Sequence, residues 1–260
     1  MNCRRHEELD PFTGCIDPIT LEPREVAPVA GIDREQLFAA VVVREETVPH
    51  LYGRFGRENP PPLHYTHGSR PALEAIVDET VTGNMTAAEK AAALGQVVFQ
   101  RAPHALLHEG EIAPPDRGWS EEQLLEDTRC WCNEQVRIFV CLCHVAGIPA
   151  RMVALFPSHR TGGHVTAEFW NEDHWALFDV TYNVRVEIAP GRFASAREIQ
   201  TDRDISSIAD RVYAPAVATF DARVPPDQQE RYRSLGLRTF DFSPNHEKFA
   251  GLQIWDYPIE

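Results

Sequence analysis

TRCWCNEQVRIFVCLCHVAGIPARMV, residues 128–153, holds four cysteines within fourteen residues and the longest apolar run of the chain's middle. Between Asn133 and Ala146 the apolar residues Val136, Ile138, Phe139, Val140, Leu142 and Val145 fall on several sides of a helix rather than along one stripe. That distribution predicts a helix buried at the centre of a domain, not one lying on its surface. Gly147 supplies a residue able to end such a helix, and Pro149 just beyond it prevents continuation. Cys132 stands at the helix start, where unpaired backbone N–H groups and the macrodipole stabilise a thiolate.

Each cysteine has a competing explanation. Structural zinc asks for ligand pairs with about two to four residues between them. Cys130-x-Cys132 and Cys141-x-Cys143 lack that spacing, and residues two apart inside a helix point in different directions. Cys141 and Cys143 are therefore expected to be buried, inert small hydrophobes. His104 and His108 in HALLH share a helical face if the preceding helix extends that far. They lack the glutamate that metalloprotease chemistry needs and read as surface histidines. Cys132 remains the candidate nucleophile, with Cys130 beside it as a competitor.

Outward from this centre, the N-terminal 1–68 reads as a Pro-rich arm with one possible strand at Gln36 to Val48. Ser69 is expected to cap a helix over Pro71 to Val81, with Pro71 in the first turn. Thr86 is expected to cap a second helix over AAEKAAALGQVVFQRA, and Ser120 opens a short third one in EEQLLED. Downstream, RMVALF, HVTAEFW and HWALFDV are rich in β-branched and aromatic residues and separated by turn-formers, which predicts antiparallel strands. Residues 69–190 form the expected catalytic core. Residues 191–260 form an extension packed on it, with a polar helix near Ser195 to Ile199, another in PPDQQERYRSLGL, and an irregular tail.

Two downstream residues complete a possible nucleophile set. His164 follows Gly162-Gly163 at the start of one strand, and Asp179 closes the next, with the polar turn at Asn171 to Asp173 between them. A short hairpin loop places His164 within about two residues of the position facing Asp179, near enough for an imidazole–carboxylate hydrogen bond on one face. A carboxylate that orients an imidazole, and an imidazole that draws the proton from a thiol, are the parts acyl transfer needs. An ordinary cross-strand pair is the alternative.

With these residues in place, the chain resembles the transglutaminase-like superfamily of papain-fold cysteine enzymes. In that pattern a cysteine opens a helix that ends about fifteen residues later in Gly-Ile-Pro-Ala-Arg; a histidine then opens a strand, and an aspartate follows a Trp-containing strand. Here Cys132 precedes Gly147 by fifteen residues, GIPAR is literal at Gly147 to Arg151, and HWALFDVT delivers Asp179. The resemblance covers roughly residues 86–182 and favours Cys132 over Cys130. It implies an α+β, papain-like fold, with a buried central helix packed on an antiparallel sheet. It also implies acyl transfer through a Cys132 thioester, with Cys132, His164 and Asp179 as catalytic residues and neither cofactor nor metal. The sequence departs from the family pattern at Cys130, where glycine is frequent, and at Thr166, where an aromatic residue is frequent. Both departures bear on the substrate. The oxyanion donors expected are the Cys132 backbone N–H and a side chain, with Trp131 or Gln96 as candidates.

Composition narrows the partners. With 25 basic against 39 acidic residues the net charge is -14, which disfavours phosphate backbones, so no nucleic acid is expected. The opening MNCRRHEELDPFTG has no apolar run after its arginines, and no later stretch approaches a membrane span; a cytoplasmic protein with no membrane partner is expected. Six cysteines in a reducing compartment do not indicate disulfides. The expected partner is a peptide, protein or small-molecule acyl donor. Water as acceptor makes a peptidase or amidase, and an amine makes a transglutaminase or other amide-forming enzyme. The acidic balance favours a cationic amine, and the C-terminal extension is a candidate wall against water. The rival from another class is a binding or scaffolding module that keeps the fold without activity.

Overall fold

The computed structural model describes residues 60, 63, 65–110, 120–127, 129–156 and 164–230, with three further strands at 14–16, 23–25 and 251–255. The expected strand at Gln36 to Val48 lies outside these residues, as does Gly162-Gly163. Two short strands, β1 (Gly14–Ile16) and β2 (Pro23–Glu25), pair antiparallel. Then come α1 (Pro71–Thr80), α2 (Ala87–Arg101), α3 (Glu121–Asp127) and α4 (Cys132–Val145). Strands β3 (Ala150–Phe156), β4 (His164–Asn171), β5 (His174–Asp179) and β6 (Val184–Arg185) follow. A small hairpin of β7 (Glu187–Ala189) and β8 (Arg192–Phe193) leads to α5 (Ala196–Thr201) and α6 (Arg203–Arg223). β9 (Gly251–Trp255) returns to the sheet.

The fold is α+β, with a buried helix packed on an antiparallel sheet. Thirteen of the fourteen residues of α4 are buried, as its all-round apolar pattern requires. Gly147 ends the helix with φ of 77°, a conformation in which a side chain is strained. The sheet has the order β6-β5-β4-β3-β9, antiparallel throughout. Its period-2 alternation divides the interior into two cores. Met152, Val165, Ala167, Phe169, Ala176 and Phe178 face the helices α1 to α4. Val153 and Leu177 face Ile199, Ala209, Tyr213 and Phe220 of α5 and α6.

Caps fall largely where side-chain chemistry places them. Thr86 caps α2 in a reciprocal box with Glu89, Ser120 and Gln123 exchange hydrogen bonds at the start of α3, and Ser195 and Glu198 form a box on α5. Ser69 does not cap α1. Arg70 occupies the boundary instead, without a side-chain cap, and its guanidinium donates to Glu121 at 2.8 Å and Glu122 at 2.6 Å on α3. A tertiary ion network has overridden the local capping preference there. One further expectation is corrected: the tail is not irregular throughout, since Gly251–Trp255 pairs with β3. The 21-residue α6 follows the polar helix without a counterpart among the expected elements. In PPDQQERYRSLGL, Pro226–Gln228 is a 3-10 turn, and residues from 231 to 250 lie outside the described ones.

Helix α2 can cross β5 closely because Gly95 has no side chain. A methyl group there would sit 1.8 Å from Cε1 and 2.2 Å from Cζ of Phe178, the residue before Asp179. Gly95→Ala is expected to lower the unfolding free energy by about 1–3 kcal/mol through overpacking, despite alanine's better helix propensity. Urea titration of both proteins checks this; an unchanged or higher midpoint would show that α2 is not seated on Phe178.

Candidate active site

The start of α4 is fixed from outside the helix. Ala105 N–H donates to the Cys130 carbonyl at 2.7 Å and Cys130 N–H to the Pro103 carbonyl at 3.2 Å, so the chain arrives as a short parallel bridge. Trp131 is extended at the N-cap, and its N–H donates to the buried Glu134 carboxylate at 3.0 Å, the N3 half of a capping box. Gln135 donates to the Ala102 carbonyl at 2.8 Å and accepts from the Thr181 hydroxyl at 2.7 Å. Cys132 is thereby held as the first residue of the helix, 8% exposed, at the positive end of its dipole.

His164 and Asp179 arrive by strand register. The β4–β5 hairpin turns through Glu172 and Asp173, with Glu172 at φ of 60°, and pairs Asn171 with His174 and Ala167 with Phe178. Asp179 is then a diagonal neighbour of His164 on one face. His164 Nε2 lies 2.7 Å from Asp179 Oδ2, with 3% and 0% of the two side chains exposed. The Cys132 side chain interacts with the same ring and favours its charged form. Burial alone would lower the His164 pKa, but the Asp179 charge and hydrogen bond, with the contribution of Cys132, raise it to about 9.

The arginine of the GIPAR stretch belongs to the scaffold. Arg151 pairs with Glu168 across β3 and β4 at 2.8 Å, and its guanidinium lies 3.8 Å over the Trp175 ring. Glu168 in turn accepts the Ala196 N–H at 2.7 Å, at the first residue of α5.

Other sequence candidates are located as follows. Cys130 is fully buried, and its thiol donates to the Leu124 carbonyl at 3.6 Å. Cys141 and Cys143 are buried in α4, and burial pushes both thiols well above their ordinary range. Gln96 accepts from Asn183 at 2.8 Å through its side-chain oxygen, and the Trp131 ring packs edge-on against His104. His104 is not a surface histidine. Helix α2 ends at Arg101 because Pro103 disfavours helical backbone at Ala102, which takes φ of -123° and ψ of 62°. His104 is then buried between Trp131 and Phe220, and burial followed by repulsion from His164 lowers its pKa to about 3. Its Nδ1 accepts from Leu106 N–H at 3.3 Å, so the neutral ring carries its proton on Nε2. Among the described residues, no group of three or more His, Cys, Asp or Glu side chains is placed to hold a metal, and no helix is long and apolar enough to cross a membrane.

One further residue at this site has no local sequence signal. Tyr213 of α6 donates its hydroxyl to Asp179 Oδ2 at 3.0 Å, while the Tyr182 N–H donates to Oδ1 at 3.3 Å.

Residues 74–180 match the sequence model of the transglutaminase-like superfamily. That stretch is similar to a transglutaminase-like core. Solved structures similar to the chain include a protein from Cytophaga hutchinsonii described provisionally as a cysteine protease. That protein is 16% identical, with 59% of this chain and 49% of that one covered at a TM-score of 0.37. A TGase is also 16% identical, over 46% of this chain and 34% of that one, at a TM-score of 0.34. A protein from Parabacteroides distasonis, described provisionally as a protease, is 8% identical, over 44% and 27%, at 0.30. The chain thus spans less than half the length of each of these structures. A search of curated proteins gave no match.

The raised His164 pKa links the site to stability. Because the folded-state value of about 9 lies above the ordinary 6.5, folding tightens proton binding there. The corresponding stability is fully present below about pH 6.5 and is lost as pH rises through about 9. Urea titrations across this range are expected to show unfolding free energy falling with pH, with a shallower slope in His164→Gln. Equal slopes in the two proteins would contradict a charged His164.

Proposed function

We propose that the chain transfers acyl groups through a thioester on Cys132, with His164 moving the proton and Asp179 holding the imidazole. One observation carries this reading: a buried imidazole paired with a buried carboxylate at 2.7 Å also interacts with the side chain of the cysteine that starts α4. A cross-strand pair serving the sheet alone gives no reason for the thiol to be there. The superfamily match supports the same chemistry.

The steps follow from the groups present. The Cys132 thiolate attacks the carbonyl carbon of an amide or related donor; the C–N bond breaks, and the His164 imidazolium gives its proton to the departing nitrogen. The neutral imidazole then takes a proton from the acceptor as the acceptor's lone pair attacks the thioester carbon. The C–S bond breaks and the thiolate–imidazolium pair is restored. Asp179 holds the ring and stabilises its charged form. First-turn N–H groups of α4, that of Cys132 foremost, are suited to the oxyanion.

The donor is a peptide, protein or small molecule. For the acceptor, an amine is favoured over water, with hydrolysis when no amine is present. A net charge of -14 draws cationic amines, and the buried Tyr213 and Phe220 of α6 keep water from one side of the site.

Two measurements test these statements. With iodoacetamide near neutral pH, peptide mapping is expected to find Cys132 modified before Cys130, Cys141 or Cys143, and incubation with mixed acyl donors to leave an acyl adduct on Cys132 alone. First labelling at another of these cysteines would move the nucleophile elsewhere. Once a donor is found, raising a lysine-like amine or polyamine at fixed donor is expected to divert product from acid to amide. Purely hydrolytic product at saturating, chemically varied amines would leave a cysteine peptidase or amidase.

A further inference from the structure

Asp179 is fully buried, and its Oδ2 serves two donors at once: His164 Nε2 at 2.7 Å and the Tyr213 hydroxyl at 3.0 Å. Tyr213 is 1% exposed and sits in the middle of α6, 34 residues beyond Asp179. Its ring lies 6.1 Å from that of Tyr182, which lies 5.6 Å from the His164 ring, so Tyr182 bridges the two rings. Burial, then the Asp179 charge, raises the phenol pKa well above its ordinary value, so the hydroxyl keeps its proton and remains a donor. The titratable groups around the pair are Cys132 from α4, His104 from the segment after α2, Tyr182 from the turn after β5, and Tyr213 from α6.

We propose that Tyr213 is a positioning residue, whose hydroxyl anchors Asp179 Oδ2 and, by sharing that oxygen with His164, limits how tightly the carboxylate holds the imidazolium proton. The inference rests on the Cys132, His164 and Asp179 reading above. Its physical basis is the direction of the O–H dipole. The positive end points at the oxygen facing the imidazolium, so it satisfies part of the carboxylate's charge and opposes the charged ring. A carboxylate with no second donor would hold the imidazolium more strongly and release its proton to a leaving group less readily. In the fold, this makes α6 a part of the site rather than a cover over it.

The test uses the full chain and needs no knowledge of the donor. The rate of Cys132 carboxymethylation by iodoacetate is measured against pH. An anionic reagent is drawn by the imidazolium, so the wild-type rate is expected to fall as His164 loses its proton near pH 9, and His164→Gln to lack that limb. Tyr213→Phe, which removes only the hydroxyl, is expected to move the limb to higher pH by about half a unit or more. Replacement of Tyr213 by 3-fluorotyrosine, a stronger donor of nearly the same shape, is expected to move it to lower pH, and decides the question alone if the phenylalanine variant does not fold. A His164-dependent limb that stays in place in both variants, or moves in the opposite directions, overturns the role of Tyr213 while leaving the site reading intact. A wild-type profile with no His164-dependent limb overturns the site reading, and this inference with it.

Discussion

A helix with no wet face must find protein partners for most of its polar groups, and that constraint on α4 organises the molecule. Asn133, Glu134, Gln135, Arg137 and His144 are all buried on it. Glu134 is answered by the Trp131 N–H, Gln135 by the Ala102 carbonyl and Thr181, Arg137 by Glu121, and His144 by the Ala150 carbonyl. Each partner lies on a different segment: the helix entry, the end of α2, the turn after β5, α3 and the start of β3. An unanswered group of this kind costs several times what a made hydrogen bond contributes, so these contacts fix register more than they add stability. The first residue of the helix inherits that precision, and it is the cysteine.

The readable parts of the fold were those set by short-range periodicity. The all-round apolar pattern of α4, the alternation in β3 to β5 and the caps at Thr86 and Ser120 depend on neighbours within a few residues. The diagonal placement of His164 and Asp179 was readable for the same reason, since it needs only a strand period of two and a short turn. What was not readable depends on distant partners. Arg70 replaces Ser69 at a helix start because its charge partners lie about fifty residues later. Helix α6 is polar over much of its surface and contains Pro215, which weakens both its periodicity and its propensity. Tyr213 escaped because nothing in its neighbourhood shows that its hydroxyl meets a carboxylate on another element. His104 is a different case, because Pro103 did carry the signal that the helix stops, and the apparent i, i+4 pairing of His104 with His108 concealed it.

The site places two imidazoles under opposite pressures in one interior. His164 is held charged against its burial by Asp179; His104, among Trp131 and Phe220, is held neutral by its burial and by the charge on His164. Each makes the other's state more favourable, since a second cation beside His164 would erase the gain from the carboxylate. The interior thus holds one imidazole charged against Asp179 and a second one neutral beside it.

The pairing of β9 with β3 bears on how the chain is made. Met152 lies opposite Trp255 and Val153 opposite Ile254, so β3 has an open edge while the intervening hundred residues are still being synthesised. Such an edge is a template for strand addition by another chain, and a contact of this sequence separation forms late. During translation the α4 helix, β3 and β4 emerge early, while the hydroxyl that meets Asp179 and the strand that closes the sheet follow in turn. A nascent chain stalled between the two has its three candidate reactive groups already synthesised and its sheet still exposed, the interval in which a ribosome-bound chaperone has most to shield.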